Sequence, residues 1–173
     1  MRDEHDAKHE QVGQVGQVGQ AGNGGSGGSG GSGADGPVRF DTKIAVLLRE
    51  DLETWQRLNV TAFLVSGLGT ACPEVVGEPY EDADGTPYLP MFRQPVLVFE
   101  GGKETLAAAH ERAVRRGLPT AVFTSDLFAT GHDRANRAAV AAVGKDHLDL
   151  VGIAVHGARN SVDKALKGAR MHG

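Results

Sequence analysis

Continuous apolar runs alternate along this chain with charged, glycine-rich and proline-rich stretches. Residues 43–49 (KIAVLLR) form one such run between charged residues, which is typical of a strand that is covered on both faces. In residues 55–68 the apolar positions cover much of the helix circumference, which predicts a buried helix. We expect Asp51 or Thr54 to cap this helix and the tract Gly67-Leu68-Gly69 to end it.

The rest of the folded chain repeats this order of strand and helix. Further strands are predicted at residues 95–100, 118–125 and 149–155, and further helices at residues 103–117, 134–143 and 158–168. Strands that alternate with helices predict a three-layer α/β/α domain with a mixed, roughly four-stranded central sheet. The direction of the fourth strand stays open, because the connection that leads to it is short. His110 is alone on the inner face of the second helix, so we expect it to be packed rather than catalytic.

Residues 72–94 depart from this pattern, since they contain four prolines. Asp84-Gly85, between Tyr80 and Tyr88, predicts a tight turn and therefore a β-hairpin. The prolines restrict this hairpin to a sheet edge or to an excursion from the sheet. We interpret the acidic tract YEDADG as a solvated hairpin tip, because the frame of a calcium-binding loop is incomplete there.

The first 38 residues have a different composition from the rest. They are rich in Gly, Ser and Gln and contain no aromatic residue, so we expect residues 1–38 to be a disordered tail and residues 39–173 a single α/β domain. His5 and His9 stand at the i, i+4 spacing beside acidic residues. Because no stable helix is expected there, we interpret them as part of a polar terminus rather than as metal ligands.

Charge and cysteine content narrow the classes of function. The net charge is −4, so the chain offers little general attraction for phosphate backbones, although residues 157–173 are locally basic. A single cysteine, Cys72, excludes an intrachain disulfide and argues against a zinc site, and we expect neither a metal nor a cofactor. Without a secretory leader or an apolar stretch of about 20 residues, the chain is expected to be cytoplasmic and not to enter a membrane.

Polar side chains gather in loops that follow predicted strands, where open α/β sheets bind their ligands. The candidate loops are residues 49–51, 101–102 and 125–133. In the last of these, His132 beside Asp133 is a candidate general base, and Asp126 could orient a water or an attacking hydroxyl. Alternatively, Ser125 and Asp126 cap a turn while His132 and Asp133 begin the next helix. The residues alone leave both interpretations open.

Several segments resemble known families. The opening KIAVLLREDL and the closing LVGIAVHGARNSVDKALKG are similar to the first and last strands of peptidyl-tRNA hydrolase II proteins. The segments LREDLETWQRLNVTAFL, PYEDADG, LPMFRQPVLVF, FATGHDRANRAAV and VDKALKG resemble a bacterial family known as domain of unknown function 2000. This second resemblance covers residues 41–170 and implies the peptidyl-tRNA hydrolase II-like fold.

Only some of the functional residues of the hydrolases have counterparts in this chain. Their strand-end aspartate and the threonine that follows it fall on Asp126 and Thr130. Their lysine in the first helix falls near Leu58 or Asn59, and their helix-borne glutamine and histidine fall near Phe63 and Ser66, so all three are missing here. Loss of the cation that would hold an ester or phosphate argues against hydrolysis of peptidyl-tRNA.

Three hypotheses follow. The first is a protein that binds a small molecule or a partner in a cleft at the strand ends, and the second is a hydrolase of peptidyl-tRNA or a related ester, with tRNA a disfavoured partner. The third is a non-catalytic interaction protein that forms a homodimer through residues 72–94. The candidate catalytic residues are Asp126, Thr130 and His132, and the candidate ligand-binding residues are Arg49, Asp51, Asn59, Ser125 and Asp133.

Overall fold

The computed structural model describes residues 38–173, which contain seven strands and four α-helices. In chain order these are β1 (Thr42–Arg49), α1 (Thr54–Ala71), β2 (Tyr80–Glu81), β3 (Pro87–Tyr88), β4 (Val96–Gly101), α2 (Lys103–Arg115), β5 (Thr120–Thr124), α3 (Asp133–Ala141), β6 (Leu150–Ala158), α4 (Arg159–Ala165) and β7 (Arg170–Met171). Short 3-10 turns lie at Pro73–Val75 and Ser125–Ala129. The predicted tail, up to residue 37, lies outside the described residues. Within them, no helix is long and apolar enough to cross a membrane.

The central sheet has the strand order β5-β6-β1-β4-β7. β1 is parallel to β4, whereas β6 is antiparallel to both β1 and β5, and β7 is antiparallel to β4. The predicted mixed sheet is therefore confirmed, and the fourth predicted strand runs against its neighbours. The sheet has five strands rather than four because Arg170–Met171 pairs with Phe99 and Glu100. Two residues carry no periodic pattern that could have predicted this strand.

Two apolar cores cover the two faces of the sheet. Ile44, Val46 and Leu48 of β1 pack with one cluster that includes the buried stripe of α1. Ala45 and Leu47 point to the other face and pack with α2 and α4. Because both faces are covered, β1 is apolar at every central position, as predicted. Helices therefore form a layer on each side of the sheet.

The first turn of α1 differs from the prediction. Its N-cap is Glu53 rather than Asp51 or Thr54. The backbone N–H of Glu53 donates to Oε1 of Gln56 at 2.9 Å, which is half of a capping box. Asp51 is instead paired with Arg49.

The carboxyl end of α1 also differs, because the helix continues through Gly67 and Gly69 to Ala71. A Cβ at Gly67 would lie 3.3 Å from the Cβ of Ala121, and one at Gly69 would lie 3.1 Å from Cε1 of Phe92. These glycines therefore allow close packing inside the helix instead of ending it.

The prediction that α1 is a buried helix is wrong. Its buried residues form one stripe, namely Val60, Leu64 and Leu68. The other large apolar side chains of the helix are exposed, among them Trp55 at 57% and Phe63 at 53%. α1 is thus a surface helix that carries more apolar residues than the core needs.

The predicted hairpin forms a separate two-stranded sheet in which Tyr80 pairs with Tyr88. The turn differs in detail, since the N–H of Gly85 donates to the carbonyl of Asp82 at 3.0 Å, and Gly85 has φ of 80°. The Asp82 carboxylate accepts hydrogen bonds from the N–H groups of Asp84 and Thr86 and from the Tyr88 hydroxyl. Asp82 therefore holds the turn closed.

Candidate functional site

The carboxyl ends of β1, β4 and β5 lie at the same edge of the sheet. β4 is parallel to β1, and β5 has the same direction because two antiparallel pairings separate it from β1. The candidate loops at residues 49–51, 101–102 and 125–133 therefore meet at one edge. Two separate concave sites occur there.

The first site, the charged cleft, has a volume of about 360 Å³. Its lining residues are Arg49, Glu50, Asp51, Gly102, Lys103 and Asp149. Nε of Arg49 lies 2.7 Å from Oδ1 of Asp51, and Nη1 of Arg49 lies 3.3 Å from Oδ1 of Asp149. Nζ of Lys103 lies 2.8 Å from the same oxygen of Asp149. Each cation of the cleft is thus paired with a carboxylate.

Asp149 is a residue of this cleft that the sequence analysis missed. It immediately precedes β6, and because β6 is antiparallel its amino end reaches the edge where β1 and β4 end. Hydrogen bonds from Lys103 and Ser125 hold the pKa of Asp149 below its usual value, and the charges of Lys103 and Arg49 add to the effect. The backbone N–H of Ser125 also donates to the Asp149 carbonyl at 2.9 Å.

The second site, the aromatic pocket, lies between α1 and residues 123–136 and has a volume of about 370 Å³. Its lining residues are Trp55, Asn59, Phe63, Phe123, Leu127, Phe128, Thr130, Gly131, His132, Asp133 and Asn136. Four predicted site residues are among them: Asn59, Thr130, His132 and Asp133.

The aromatic wall of this pocket is built from edge-to-face pairs. The Trp55 and Phe128 rings are 5.8 Å apart and inclined by 68°, and the Phe63 and Phe123 rings are 5.8 Å apart and inclined by 76°. Phe123 and Phe128 are 5.2 Å apart and join the two pairs. Since Phe123 is buried, it anchors the more exposed rings of Trp55 and Phe63.

The polar rim of the aromatic pocket is held by local hydrogen bonds. His132 is the N-cap of α3, and its Nδ1 accepts a hydrogen bond from the N–H of Ala135 at 3.2 Å. A neutral His132 therefore carries its proton on Nε2 and acts as a donor there. The Thr130 hydroxyl is bonded to the Leu127 carbonyl and to Oδ1 of Asn136. This geometry agrees with the capping interpretation of His132.

The remaining predicted residues are distributed as follows. Arg49 and Asp51 line the charged cleft, and Ser125 reaches it through Asp149. Asp126 is exposed in its 3-10 turn and lines neither site. Asp133 lies at the rim of the aromatic pocket, where its carboxylate is 2.9 Å from Nη2 of Arg137. The structure therefore divides the predicted residues between two sites and leaves Asp126 outside both.

Sequence reasoning missed the aromatic residues of the pocket. Trp55 and Phe63 were interpreted as core residues, because an apolar residue on a helix is usually buried. The sequence did contain a signal for these residues. In α1, apolar residues cover more of the helix circumference than one packed face requires. The pocket-facing residues are the part of this excess that the core does not cover.

A third cavity of about 570 Å³ lies between α1 and β4. Its walls are mostly apolar, with Leu58, Val96 and Met171 among the lining residues. Its Arg57 side chain is already bonded to Glu100 and to the Leu52 carbonyl. Arg57 is therefore not free to orient a ligand in this cavity.

Within residues 38–173, one group of side chains has the separations of metal ligands. Cys72, Glu74 and His156 each place one donor atom within 4.8 Å of the others. This group lies outside the linings of the charged cleft and the aromatic pocket.

Comparisons with known proteins identify relatives of the described region. A family model described as "Protein of unknown function (DUF2000)" matches residues 42–173. A solved structure of a protein of unknown function from Agrobacterium tumefaciens strain C58 is 45% identical, with a TM-score of 0.75. The match covers 78% of this chain and 100% of that one. No curated protein matches the chain. The resemblance to peptidyl-tRNA hydrolase II stays a prediction.

Proposed function

This chain belongs to the DUF2000 family, and from its aromatic pocket we propose that it binds a small molecule with a planar ring and hydrogen-bonding substituents. The observation that carries this proposal is the pair of half-exposed rings, Trp55 and Phe63, on one wall of a concave site. Two large aromatic side chains left in contact with water at a concave surface are typical of a ligand site.

The wall is suited to stacking because its rings are fixed before a ligand arrives. Phe123 and Phe128 pack edge-to-face against Phe63 and Trp55, so binding a planar ring costs little side-chain entropy. A flat ring that covers Trp55 and Phe63 also removes apolar surface from water.

The polar rim selects among planar ligands. Nε2 of neutral His132 is a donor, and the amides of Asn59 and Asn136 offer both donors and acceptors. The Asp133 carboxylate is paired with Arg137, so the rim has little net charge to offer. We therefore expect a neutral or weakly charged ring that accepts at least one hydrogen bond. A volume near 370 Å³ suits a ligand of one or two fused rings.

The test uses the intrinsic fluorescence of Trp55, which is the single tryptophan of the chain. Full-length protein is titrated with adenine, adenosine, nicotinamide and benzamide as probes, which are neutral rings that accept hydrogen bonds. We expect a saturable change in Trp55 emission with at least one probe. Phe63→Ala should weaken that binding at least about tenfold, which corresponds to about 1.4 kcal/mol. Leu89→Ala removes an exposed apolar side chain outside the pocket and should leave affinity unchanged.

Native mass spectrometry of protein purified from cells provides a second measurement. A retained small molecule that is lost in Phe63→Ala would support the proposal and identify the ligand. If no probe changes Trp55 emission saturably and no small molecule is retained, the proposal is wrong.

The other two hypotheses have less support. Hydrolysis of peptidyl-tRNA rests on the resemblance of Asp126 and Thr130, and the Thr130 hydroxyl is held by the Leu127 carbonyl and Asn136. Turnover of purified peptidyl-tRNA above that of a heat-treated control would support the hydrolase hypothesis. Dimerisation through residues 72–94 also stays a prediction, and light scattering of the full-length protein tests it.

A further inference from the structure

Cys72, Glu74 and His156 come together at the end of α1, away from both sites at the strand ends. Cys72 is the C-cap of α1, Glu74 lies in the 3-10 turn that follows, and His156 lies near the carboxyl end of β6. α1 has 18 residues, and at about 1.5 Å per residue it spans about 27 Å. The cluster is therefore distinct from the charged cleft, which lies beside the amino end of α1.

Two members of this cluster are buried, and the third is exposed. Cys72 is 3% exposed and the His156 side chain is 6% exposed, whereas the Glu74 side chain is 62% exposed. Of the two ring nitrogens of His156, Nδ1 is the one that lies beside Glu74, so Nδ1 is the atom positioned to bind a metal.

The donor atoms have the separations of a metal site. Nδ1 of His156 lies 3.4 Å from Oε1 of Glu74, which is long for an N–H···O hydrogen bond. Two ligand atoms on a tetrahedral zinc ion are about 3.3–3.8 Å apart, since the bonds are about 2.0–2.3 Å long. All three donors already lie within 4.8 Å of one another.

From this geometry we infer that Cys72, Glu74 and His156 bind a divalent transition-metal ion, with Zn²⁺ as the expected occupant. Thiolate, imidazole and carboxylate together form a ligand set that zinc accepts and that calcium and magnesium do not. Three protein ligands leave the fourth position of a tetrahedral ion for water or another small ligand.

A metal site explains the cluster better than a nucleophilic cysteine does. Burial and the nearby Glu74 carboxylate raise the pKa of the Cys72 thiol, and a nucleophile needs the opposite shift. Zinc supplies the missing positive charge, because it binds the thiolate and releases the thiol proton to solvent. This inference departs from the expectation of no metal site, which considered Cys72 without knowing that the fold places His156 beside it.

The test is metal binding by the full-length chain after removal of metals with a chelator. Zn²⁺ is titrated in competition with a chromogenic chelator, and Co²⁺ is added separately as a spectroscopic probe. We expect one zinc ion per chain and a thiolate-to-cobalt charge-transfer band. Because the chain has one cysteine, that band reports on Cys72 alone.

Variants separate this site from other metal binding. Cys72→Ser should abolish the charge-transfer band, and Glu74→Gln, at an exposed position that folding tolerates, should weaken zinc binding at least about tenfold. His147→Gln, an exposed histidine outside the cluster, should change nothing. His5→Ala with His9→Ala should also leave the site intact. The inference is overturned if the charge-transfer band is absent, if Glu74→Gln has no effect, or if removing His5 and His9 abolishes zinc binding.

Discussion

Nη1 of Arg57 on α1 lies 2.9 Å from Oε2 of Glu100 on β4. The other oxygen of that carboxylate, Oε1, lies 2.9 Å from Nε of Arg170 on β7. Arg57 also donates to the carbonyls of Glu50 and Leu52. One carboxylate therefore joins the first turn of α1, a parallel strand and the edge strand.

Glu100→Gln should destabilise the protein at pH 7 but much less at low pH. Hydrogen bonds from Arg170 and Arg57 lower the pKa of Glu100 below its ordinary value of 4.5. Its ionised form therefore contributes stability above that value, and the contribution is lost as the pH falls through the folded-state pKa. Urea denaturation at pH 7.0 and 3.5 measures the difference between the variant and the wild type. Glu111→Gln, which breaks an exposed pair with Arg115, should have a smaller effect at pH 7.

The buried histidine of α2 should make the protein less stable in mild acid. Burial and the nearby Lys145 lower the pKa of His110 from 6.5, and Asp146 opposes them. The unfolded chain therefore binds this proton first, so stability is lost as the pH falls below about 6.5. Between pH 7.5 and 5.5, His110→Gln should lose less stability than the wild type in urea denaturation. If the unfolding free energy of His110→Gln falls with pH as steeply as that of the wild type, this assignment is wrong. His147→Gln, which replaces an exposed histidine, is the control.

Gly152→Ala should destabilise the packing of α1 on β6. A Cβ at this position would lie 2.6 Å from Cγ1 of Val60 and 3.0 Å from Cδ1 of Leu64, both buried. Overpacking of this kind costs about 1–3 kcal/mol. Gly144→Ala is the matched control, because a Cβ there meets no atom within 4 Å. Equal unfolding free energies for the two variants would mean that the α1–β6 contact is looser than described.

Asp149→Asn should convert the charged cleft into an anion site. The substitution removes the negative partner shared by Arg49 and Lys103. Within residues 38–173, Lys103 is then unpaired and Arg49 keeps only Asp51, so the cleft gains positive charge that can bind sulfate or phosphate. In thermal denaturation, added sulfate should raise the Tm of Asp149→Asn more than that of the wild type. Asp146→Asn, at an exposed ion pair elsewhere, controls for a general effect of charge. A sulfate response equal in all three proteins would contradict the prediction.

Local patterns predicted the main elements but not the places where distant residues meet. The continuous apolar run of β1 and the His110 face of α2 follow from burial alone, and both were predicted. Asp149 and His156 could not be placed, because their positions depend on the direction of β6. The half-exposed Trp55 was misassigned for a different reason. An apolar side chain that lines a ligand pocket has the same sequence pattern as one in the core.

The two-residue strand β7 has a consequence for solubility. Arg170–Met171 and the N–H of His172 pair with the outer edge of β4, whose other edge is occupied by β1. Without β7, that edge of an apolar strand would present unpaired N–H and C=O groups to other molecules. A short and partly charged segment thus covers part of this edge and leaves fewer backbone groups open to strand addition.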